Sequence, residues 1–283
     1  MASLRLVACA FLQAFPRSTR TGRREVDASP GGACEETFGS APRNRHDPAR
    51  EILNLRAEWS LDIGVIEKDY VLGWLLAGIA NHPKLSPTWV FKGGTCLRKC
   101  SYETYRFSED LDFTVVDGGP ETPEDLAPLF REVGGCVREK SGIDLVVEDS
   151  AFRRCQNRRG NPMTQGRIAY GGPNPPPQLP ELKLDVTADE ALVERVVPRD
   201  IGHQYSDGPL PGDGVVCYSM VELFGEKLRA FSERCRPRDL YDVVHTHRHP
   251  DLVGRAQSVA SVLAQKCAHP DMATSDAVDK LGT

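Results

Sequence analysis

The sequence has no apolar run that approaches the roughly 18–20 residues a membrane-spanning helix needs, so we predict no membrane partner. Nor does it contain a C-x-x-C pair, the spacing typical of structural zinc sites. Its nine cysteines are odd in number, and Cys96 and Cys100 have the spacing of one helix face rather than of a disulfide framework. We therefore expect reduced thiols and a cytoplasmic location.

An excess of positive charge is also missing. The 283 residues carry 35 Lys and Arg against 40 Asp and Glu, and eight of the arginines lie within the first 50 residues. The rest of the chain is therefore strongly acidic. This balance argues against bulk electrostatic binding to nucleic acid, although it does not exclude a local basic groove.

Hydrophobic periodicity is absent from residues 1–47, which are rich in Arg, Ser, Gly and Pro. Such a composition buries too little apolar surface to offset the entropy lost on ordering, so we predict a disordered extension. Two origins are considered: translation from an upstream start codon, which would make the extension non-native, and a poor signal or transit peptide.

From residue 48 onward the pattern predicts an α/β (α+β) domain, because short strands alternate with helices. Helical spacing indicates two helices with a break near Ser60 and an end before Pro83. The predicted strands are "TWVFKGG", "LDFTVVD", "IDLVVED" and "ELKLDVTADE". A Gly pair is expected to interrupt the helix "PEDLAPLFREVGGCVREKSG", and residues 153–180 to form an irregular surface loop around a strand near "GRIAY". We divide the chain into a core of residues 48–215 and a C-terminal helical lobe of residues 216–283.

Three acids crowd the start of one strand in "FSEDLDFTVVD". Side chains alternate along a strand, so Asp110 and Asp112 share one face and their apolar neighbours the other. The strand "KLDVT" has the same pattern, and Asp185 joins the pair if the two strands are neighbours. Crowded carboxylates repel one another unless a cation compensates them, and oxygen ligands favour Mg²⁺ or Mn²⁺. The alternative is a set of surface charges on an edge strand.

A Gly-Gly turn precedes these acids in "VFKGGTCLRK". Gly93 and Gly94 permit a tight turn that presents backbone N–H groups, and Thr95 adds a hydroxyl at the start of a helix, where phosphate binds well. We predict that these three residues and Lys92 bind the phosphates of a nucleotide. The alternative is an ordinary strand–helix turn.

The motif "FKGGTCLRKC…YRFSEDLDFTV" resembles the AbiEii/AbiGii toxin nucleotidyltransferases, a branch of the polymerase-β-like superfamily. The segments "EKDYVLGWLLAGI" and "EKLRAFSERCRPRDLYDV" resemble the same family at the expected order and distances, and the resemblance covers about residues 48–250. It implies a nucleotidyltransferase-type mixed sheet flanked by helices. It also implies that Gly94 and Thr95 form the nucleotide-binding turn, that Asp110 and Asp112 bind metal, and that Asp185 is the third acid.

The resemblance further implies that a lysine of the helical lobe and a later aspartate belong to the active site. They fall on Lys227 and Asp242, with Asp239 as a near rival. Lys227 also lies in the apolar stripe of its helix, so it points inward unless its stem snorkels to water. Ser108 is a candidate phosphate contact, with a capping role as the alternative. Two further arginines are candidates for nucleotide or RNA binding unless they are merely solvated: Arg236 and Arg238.

The sequence therefore predicts a metal-dependent toxin of a type IV toxin–antitoxin or abortive-infection system. It would transfer a nucleotide from an NTP to an RNA acceptor, with the tRNA 3′ end suggested by the resemblance, and Asp185 would complete a second metal site or deprotonate the attacking hydroxyl. Its antitoxin, encoded nearby, need not form a stable complex with it. Two rivals stay open: an NTP-binding phosphotransferase that acts on protein, and a catalytically inactive remnant.

The segment "HTHRHP" contains three histidines, which are candidate metal ligands. The spacing of two residues does not fit one face of a helix. We therefore predict that His245, His247 and His249 form a solvated helix end.

Overall fold

The computed structural model describes residues 47–157, 159–174, 177–188, 190–208 and 214–268. The predicted N-terminal extension up to residue 46 and the polar tail after residue 268 lie outside these ranges. Within them, no helix is both long enough and apolar enough to cross a bilayer.

Two helices open the described chain, α1 (Pro48–Trp59) and α2 (Ile63–Ala80). The break between them is at the predicted place, because Ser60 adopts a left-handed conformation with φ of 53° and ends α1. The Asp62 side chain then accepts a hydrogen bond from the Gly64 N–H and caps α2.

One mixed sheet contains the eight strands of the described ranges. They are β1 (Trp89–Lys92), β2 (Asp110–Val115), β3 (Asp144–Val146), β4 (Phe152–Gln156), β5 (Pro162–Gly171), β6 (Glu181–Thr187), β7 (Val197–Asp200) and β8 (Gly214–Cys217). The order is β3-β5-β6-β2-β1-β8-β7, and β4 pairs with β5 beside this path. Strand β2 lies antiparallel to β1 and parallel to β6, and β1 lies parallel to β8. The predicted mixed sheet flanked by helices is confirmed.

The remaining helices are α3 (Gly93–Cys100), α4 (Pro123–Ser141), α5 (Met220–Arg234), α6 (Pro237–Thr246) and α7 (Ala256–Ala268), with short 3₁₀ helices at Asp149–Ala151 and Pro250–Leu252. Helix α5 packs closely on α7, because a Cβ at Gly225 would lie only 2.5 Å from Val262 Cγ1. The division of the chain at residue 215 stays a prediction.

The prediction that a Gly pair interrupts α4 is wrong, since the helix continues through Gly134 and Gly135. Residues before and after the Gly pair lie on the same apolar face of α4. On this face Val133 and Val137 pack against Gly78 of α2. Tertiary packing of that face outweighs the weak helix propensity of two glycines.

The strand predicted near "GRIAY" is confirmed as part of β5, but the irregular loop predicted before it is wrong, because β4 pairs there with β5 in antiparallel orientation. Ile168 and Tyr170 of β5 are buried. The arginines that made the segment look like a surface loop line the strand edge, where Arg153 donates to Gln165 at 2.8 Å and Arg154 to Glu121 at 3.1 Å. Strands β7 and β8 were not predicted, because β7 contains Pro198 and β8 directly follows a segment rich in Pro and Gly.

The apolar core lies against the sheet face formed by alternate residues of β1 and β2. The rings of Trp89 and Phe91 each lie 5.0 Å from the ring of Phe113, and Trp89 also contacts Phe130 of α4. This packing fixes the sheet face to which Lys92, Asp110 and Asp112 point, because along β1 and β2 their side chains alternate with those of Phe91, Leu111 and Phe113, which face the core.

Candidate active site

The three predicted acids share one face of the sheet. The parallel register of β2 and β6 sets Asp112 directly beside Asp185, and Asp110 beside Lys183. Leu111 points to the opposite, fully buried face. The structure thus joins carboxylates from two neighbouring strands, as the alternation of both strands predicted.

A lysine that the sequence analysis left without a role lies among these acids. Lys183 Nζ lies 2.6 Å from Asp185 Oδ2 and 3.9 Å from Asp110 Oδ2. Gln165 of β5 donates to the other oxygen of Asp185 at 3.0 Å. The signal for Lys183 was available, because it shares the strand face of Asp185 in "KLDVT". Its ammonium marks a position where a cation is stabilised.

Burial raises the pKa of Asp112 to about 6. The carboxylates of Asp185 and Asp110 add to this rise, while Lys92 and Lys227 oppose it. The protein's own cations therefore do not neutralise this carboxylate, and a further positive ligand would be stabilised beside it.

The Gly-Gly turn lies directly against the acids. Gly93 has a φ of +82°, and a Cβ there would overlap the Asp112 carboxylate, so only glycine fits. A Cβ at Gly94 would lie 2.7 Å from Ser108 Oγ and 3.2 Å from Arg106 Nη2. The turn thus leaves a narrow space between the start of α3 and the segment before β2, and Ser108 faces it. Both the phosphate contact and the alternative capping role of Ser108 stay predictions.

Thr95 fastens this turn to the first acid, since its buried hydroxyl donates to the Asp110 carbonyl at 2.6 Å. The predicted contact of this hydroxyl with phosphate stays a prediction. Lys92 lies beside Asp112 in the β1–β2 register, and its Nζ contacts Thr187 and Glu190. Burial lowers the pKa of Lys92, although the carboxylates of Glu226 and Asp112 act in the opposite direction. Glu190 was missed because alternation along the predicted strand "ELKLDVTADE" places it on the face opposite Asp185, whereas the observed strand β6 already ends at Thr187.

Lys227 points inward, as its position in the apolar stripe predicted, and pairs with Asp242 at 2.9 Å. Asp242 is buried and also accepts two hydrogen bonds from Arg106, at 2.6 and 2.8 Å, and one from Tyr105 at 2.8 Å. Burial alone would raise the pKa of Asp242, but Arg106 and Lys227 lower it below its ordinary value. Asp239 instead pairs with Arg234 at 2.8 Å. Of the two rival aspartates, the structure therefore brings Asp242 to Lys227.

A family model described as the nucleotidyl transferase AbiEii toxin of a type IV toxin–antitoxin system matches residues 74–281. The chain belongs to the AbiEii family. It is a nucleotidyltransferase of the toxin type, and the family implies an NTP substrate and an antitoxin partner. The predicted resemblance is confirmed, and every predicted site residue lies within the matched segment.

Solved structures give a second comparison for this AbiEii chain. MenT4, a nucleotidyltransferase toxin from Mycobacterium tuberculosis H37Rv, matches with a TM-score of 0.51 and 23% identity, over 77% of this chain and 68% of that chain. The match confirms the nucleotidyltransferase fold. ANT(2″)-Ia in complex with adenylyl-2″-tobramycin matches over 71% of this chain and 98% of that chain, at 13% identity and a TM-score of 0.35. Among curated proteins no significant match is found.

Arg106 is the AbiEii site residue that sequence reasoning missed most clearly. Arg106 immediately precedes "FSEDLD" in the matched motif. Two of its nitrogens donate hydrogen bonds to Asp242, and its guanidinium lies next to Gly94. Its position in the motif was the signal, but no periodicity linked it to an acid 136 residues away. Arg106 therefore connects the glycine turn to the helix pair that carries Lys227 and Asp242.

The prediction of a solvated helix end for the histidines is wrong for two of the three. The rings of His245 and His249 lie 4.8 and 5.2 Å from the ring of Tyr102, and His245 also contacts Tyr105 at 5.1 Å. Helix α6 ends at Thr246, and the following turn returns His249 to the tyrosine. Aromatic packing therefore explains these side chains.

Proposed function

We propose that this AbiEii chain uses a divalent ion, Mg²⁺ or Mn²⁺, to transfer a nucleotide from an NTP to a hydroxyl of RNA in the cytoplasm. The observation that supports this best is the convergence of Asp110, Asp112 and Asp185 beside the Gly93 turn. Carboxylates for metal and backbone N–H groups for phosphate are what nucleotide chemistry requires in one place.

The donor set fits a hard divalent ion, since it consists of carboxylate oxygens from two paired strands. The raised pKa of Asp112 and the ammonium of Lys183 between Asp110 and Asp185 both support a cation here. Bound to these acids, the ion would supply charge stabilisation for the attacking and leaving oxygens. Lys183 is on a flexible stem and would have to release Asp185, which we therefore expect to act as a ligand rather than as a base.

The protein's own groups would orient the NTP. The first N–H groups of α3 would face the phosphates. Lys92, the N-cap residue, makes no side-chain hydrogen bond to these groups that would compete with a phosphate. Lys227, whose side chain is 12% exposed and held by Asp242, would neutralise charge on the phosphates. Ser108 would contact a phosphate oxygen at the same turn.

The acceptor would reach the site across α6, which exposes both aromatic and basic side chains. Tyr241 is 43% exposed and Arg238 is exposed, while Arg236 is half-buried. Stacking on an aromatic ring combined with arginine contacts suits a single-stranded RNA end. This supports an RNA acceptor, and the family resemblance suggests the 3′ end of tRNA.

The test is transfer of label from an NTP to total RNA, with the phosphorus label placed at the α or the γ position. We expect the α label to enter RNA in the presence of Mg²⁺, and both Asp110→Ala and Asp112→Asn to abolish transfer and toxicity. Asp144→Asn, a surface substitution outside the site, is the matched control. Transfer of the γ label to protein would support the phosphotransferase rival, and nucleotide binding without any transfer would support the inactive remnant.

A further inference from the structure

Three cysteines converge at a position that the proposed reaction does not use. Cys96 and Cys100 lie one turn apart on α3, and Cys217 ends β8. Their three Sγ atoms all lie within 4.8 Å of one another, and all three thiols are free. We propose that Cys96, Cys100 and Cys217 bind one thiol-seeking metal ion, with Zn²⁺ as the reference ion.

This position is separate from the carboxylates. The register pairs Cys217 with Phe91, and Phe91 with Phe113, so Cys217 belongs to the apolar face of the sheet. Lys92 and Asp112 occupy the opposite face. The two candidate metal sites therefore differ in location as well as in ligand chemistry.

Ligand type selects the ion. Three sulfur donors favour soft ions such as Zn²⁺ or Cu⁺ over the hard ions that carboxylates prefer. In the part of the chain that the structure describes, no His, Asp or Glu joins the three sulfurs. Cys96 and Cys217 are buried, whereas Cys100 is partly exposed. A fourth ligand, water or a small thiol, would therefore enter beside Cys100.

The surrounding charges fit a thiolate cluster. Hydrogen bonds from Cys217 and Cys96 hold the pKa of Cys100 well below its ordinary value, and Lys99 and Arg199 act in the same direction. Cysteine binds a metal ion as the thiolate, so any proton still held by the three sulfurs would be released to solvent when a divalent ion binds. Three thiolates and a divalent ion would carry one negative charge, beside Lys99, which also pairs with Asp69, and Arg199, which also pairs with Asp251. Arg199 Nε is buried and, within the described ranges, has no hydrogen-bond partner.

The site would join α3, the helix that begins at the glycine turn, to β8. Metal binding should therefore raise the thermal stability of the chain, because the ion would bind the folded form and not the unfolded one. This effect is independent of nucleotide transfer.

The experiment is a titration of the full chain, reduced and metal-free, with Co²⁺ as an optical probe followed by Zn²⁺. We expect one equivalent of Co²⁺ to give a sulfur-to-metal charge-transfer absorbance that Zn²⁺ abolishes, together with a rise in Tm. Cys217→Ser and Cys100→Ser should each weaken binding at least tenfold, whereas Cys136→Ser, which alters an exposed cysteine of α4, should leave it unchanged. Binding to the carboxylates gives no such absorbance, and the Asp110→Asn/Asp112→Asn double variant should titrate like the unmodified chain.

Cys100→Ser, at the partly exposed ligand, is the second variant should Cys217→Ser not fold, which circular dichroism would reveal. No charge-transfer absorbance in the unmodified chain, or an absorbance unchanged in Cys100→Ser, would overturn the site. So would a disulfide between Cys100 and Cys217, detected as a loss of two hydrogens by mass spectrometry, that forms in air even when stoichiometric Zn²⁺ is present.

Discussion

Two aspartates held within the same domain, Asp69 of α2 and Asp112 of β2, have opposite pKa shifts. Burial alone would raise the pKa of Asp69, but Lys99 and Arg98 lower it below its ordinary value. The same desolvation raises the pKa of Asp112 to about 6, because two further acids adjoin it and its lysines do not compensate them all. Burial thus acts alike on both groups, and the balance of neighbouring charge decides the sign.

The carboxylate of Asp69 is fully paired with cationic and hydrogen-bonding side chains. Its oxygens lie 2.8 Å from Lys99 Nζ and 3.4 Å from Arg98 Nε, and Tyr205 donates to it at 3.2 Å. The group ties α2 to α3 and to the segment before β8, so its task is structural. Lys183 offsets part of the negative charge of Asp110 and Asp185, but the raised pKa of Asp112 shows that the charge around it is not balanced, which favours a cationic ligand.

The largest change in stability should follow from removing the charge of Asp69, whose carboxylate is fully paired. Asp69→Asn keeps the shape of the side chain but leaves Lys99 buried without its counter-charge, so we expect the free energy of unfolding to fall by about 3–5 kcal/mol. Urea denaturation at pH 7 measures it. A loss below about 1 kcal/mol would mean that Asp69 is no more structural than a surface acid.

Asp112→Asn should raise the free energy of unfolding, whereas Asp69→Asn should lower it. Because the folded pKa of about 6 exceeds the ordinary value of 3.8, the folded chain binds more protons between these values, and its stability falls as pH rises through that window. Asparagine does not titrate. In the absence of divalent ions the variant should therefore gain up to about 3 kcal/mol over the parent chain at pH 7 and almost nothing below pH 4.

Urea denaturation at several pH values in chelator measures this difference. A variant less stable than the parent at pH 7 would show that Asp112 is already compensated, and the contrast with Asp69 would disappear. For Asp69 the pH dependence runs the other way, because its lowered pKa gives stability that is lost as pH falls below the ordinary value.

Asp242 gives a third case, because it lies inside the candidate site but, like Asp69, has cationic partners that balance its charge. Arg106 holds it with two nitrogens, and lysine at that position could supply only one ammonium. We expect Arg106→Lys to lower the free energy of unfolding by about 1–2 kcal/mol, because one charge-assisted hydrogen bond is lost. Thermal and urea denaturation measure the loss. If Arg106→Lys leaves the stability unchanged, Arg106 does not compensate the charge of Asp242, and Asp242 resembles Asp112 rather than Asp69.

The contrast also separates what the sequence could predict from what it could not. Alternation along β2 and β6 sufficed to set Asp110, Asp112 and Asp185 on one face, and a lysine in an apolar stripe sufficed to turn Lys227 inward. Nothing local linked Asp69 to Lys99, because the partner of a buried charge is chosen by helix packing. The same holds for Arg106 and Asp242. Strands β7 and β8 were missed for a local reason, because Pro198 lies within β7 and Pro and Gly precede β8.

The smallest effect should come from an acid that has neither burial nor a close partner. Asp144 begins β3 and lies 3.6 Å from Arg138 of α4, with side chains 59% and 71% exposed. Water screens such a pair, and holding two flexible side chains together costs about as much entropy as the attraction gains. Asp144→Asn should therefore change the free energy of unfolding by less than about 0.5 kcal/mol at any pH from 5 to 8, and urea denaturation alongside the other variants measures it. A change as large as that of Arg106→Lys would mean that the charge of an acid, irrespective of burial, governs its effect, and the distinction between Asp69 and Asp112 would lose its physical basis.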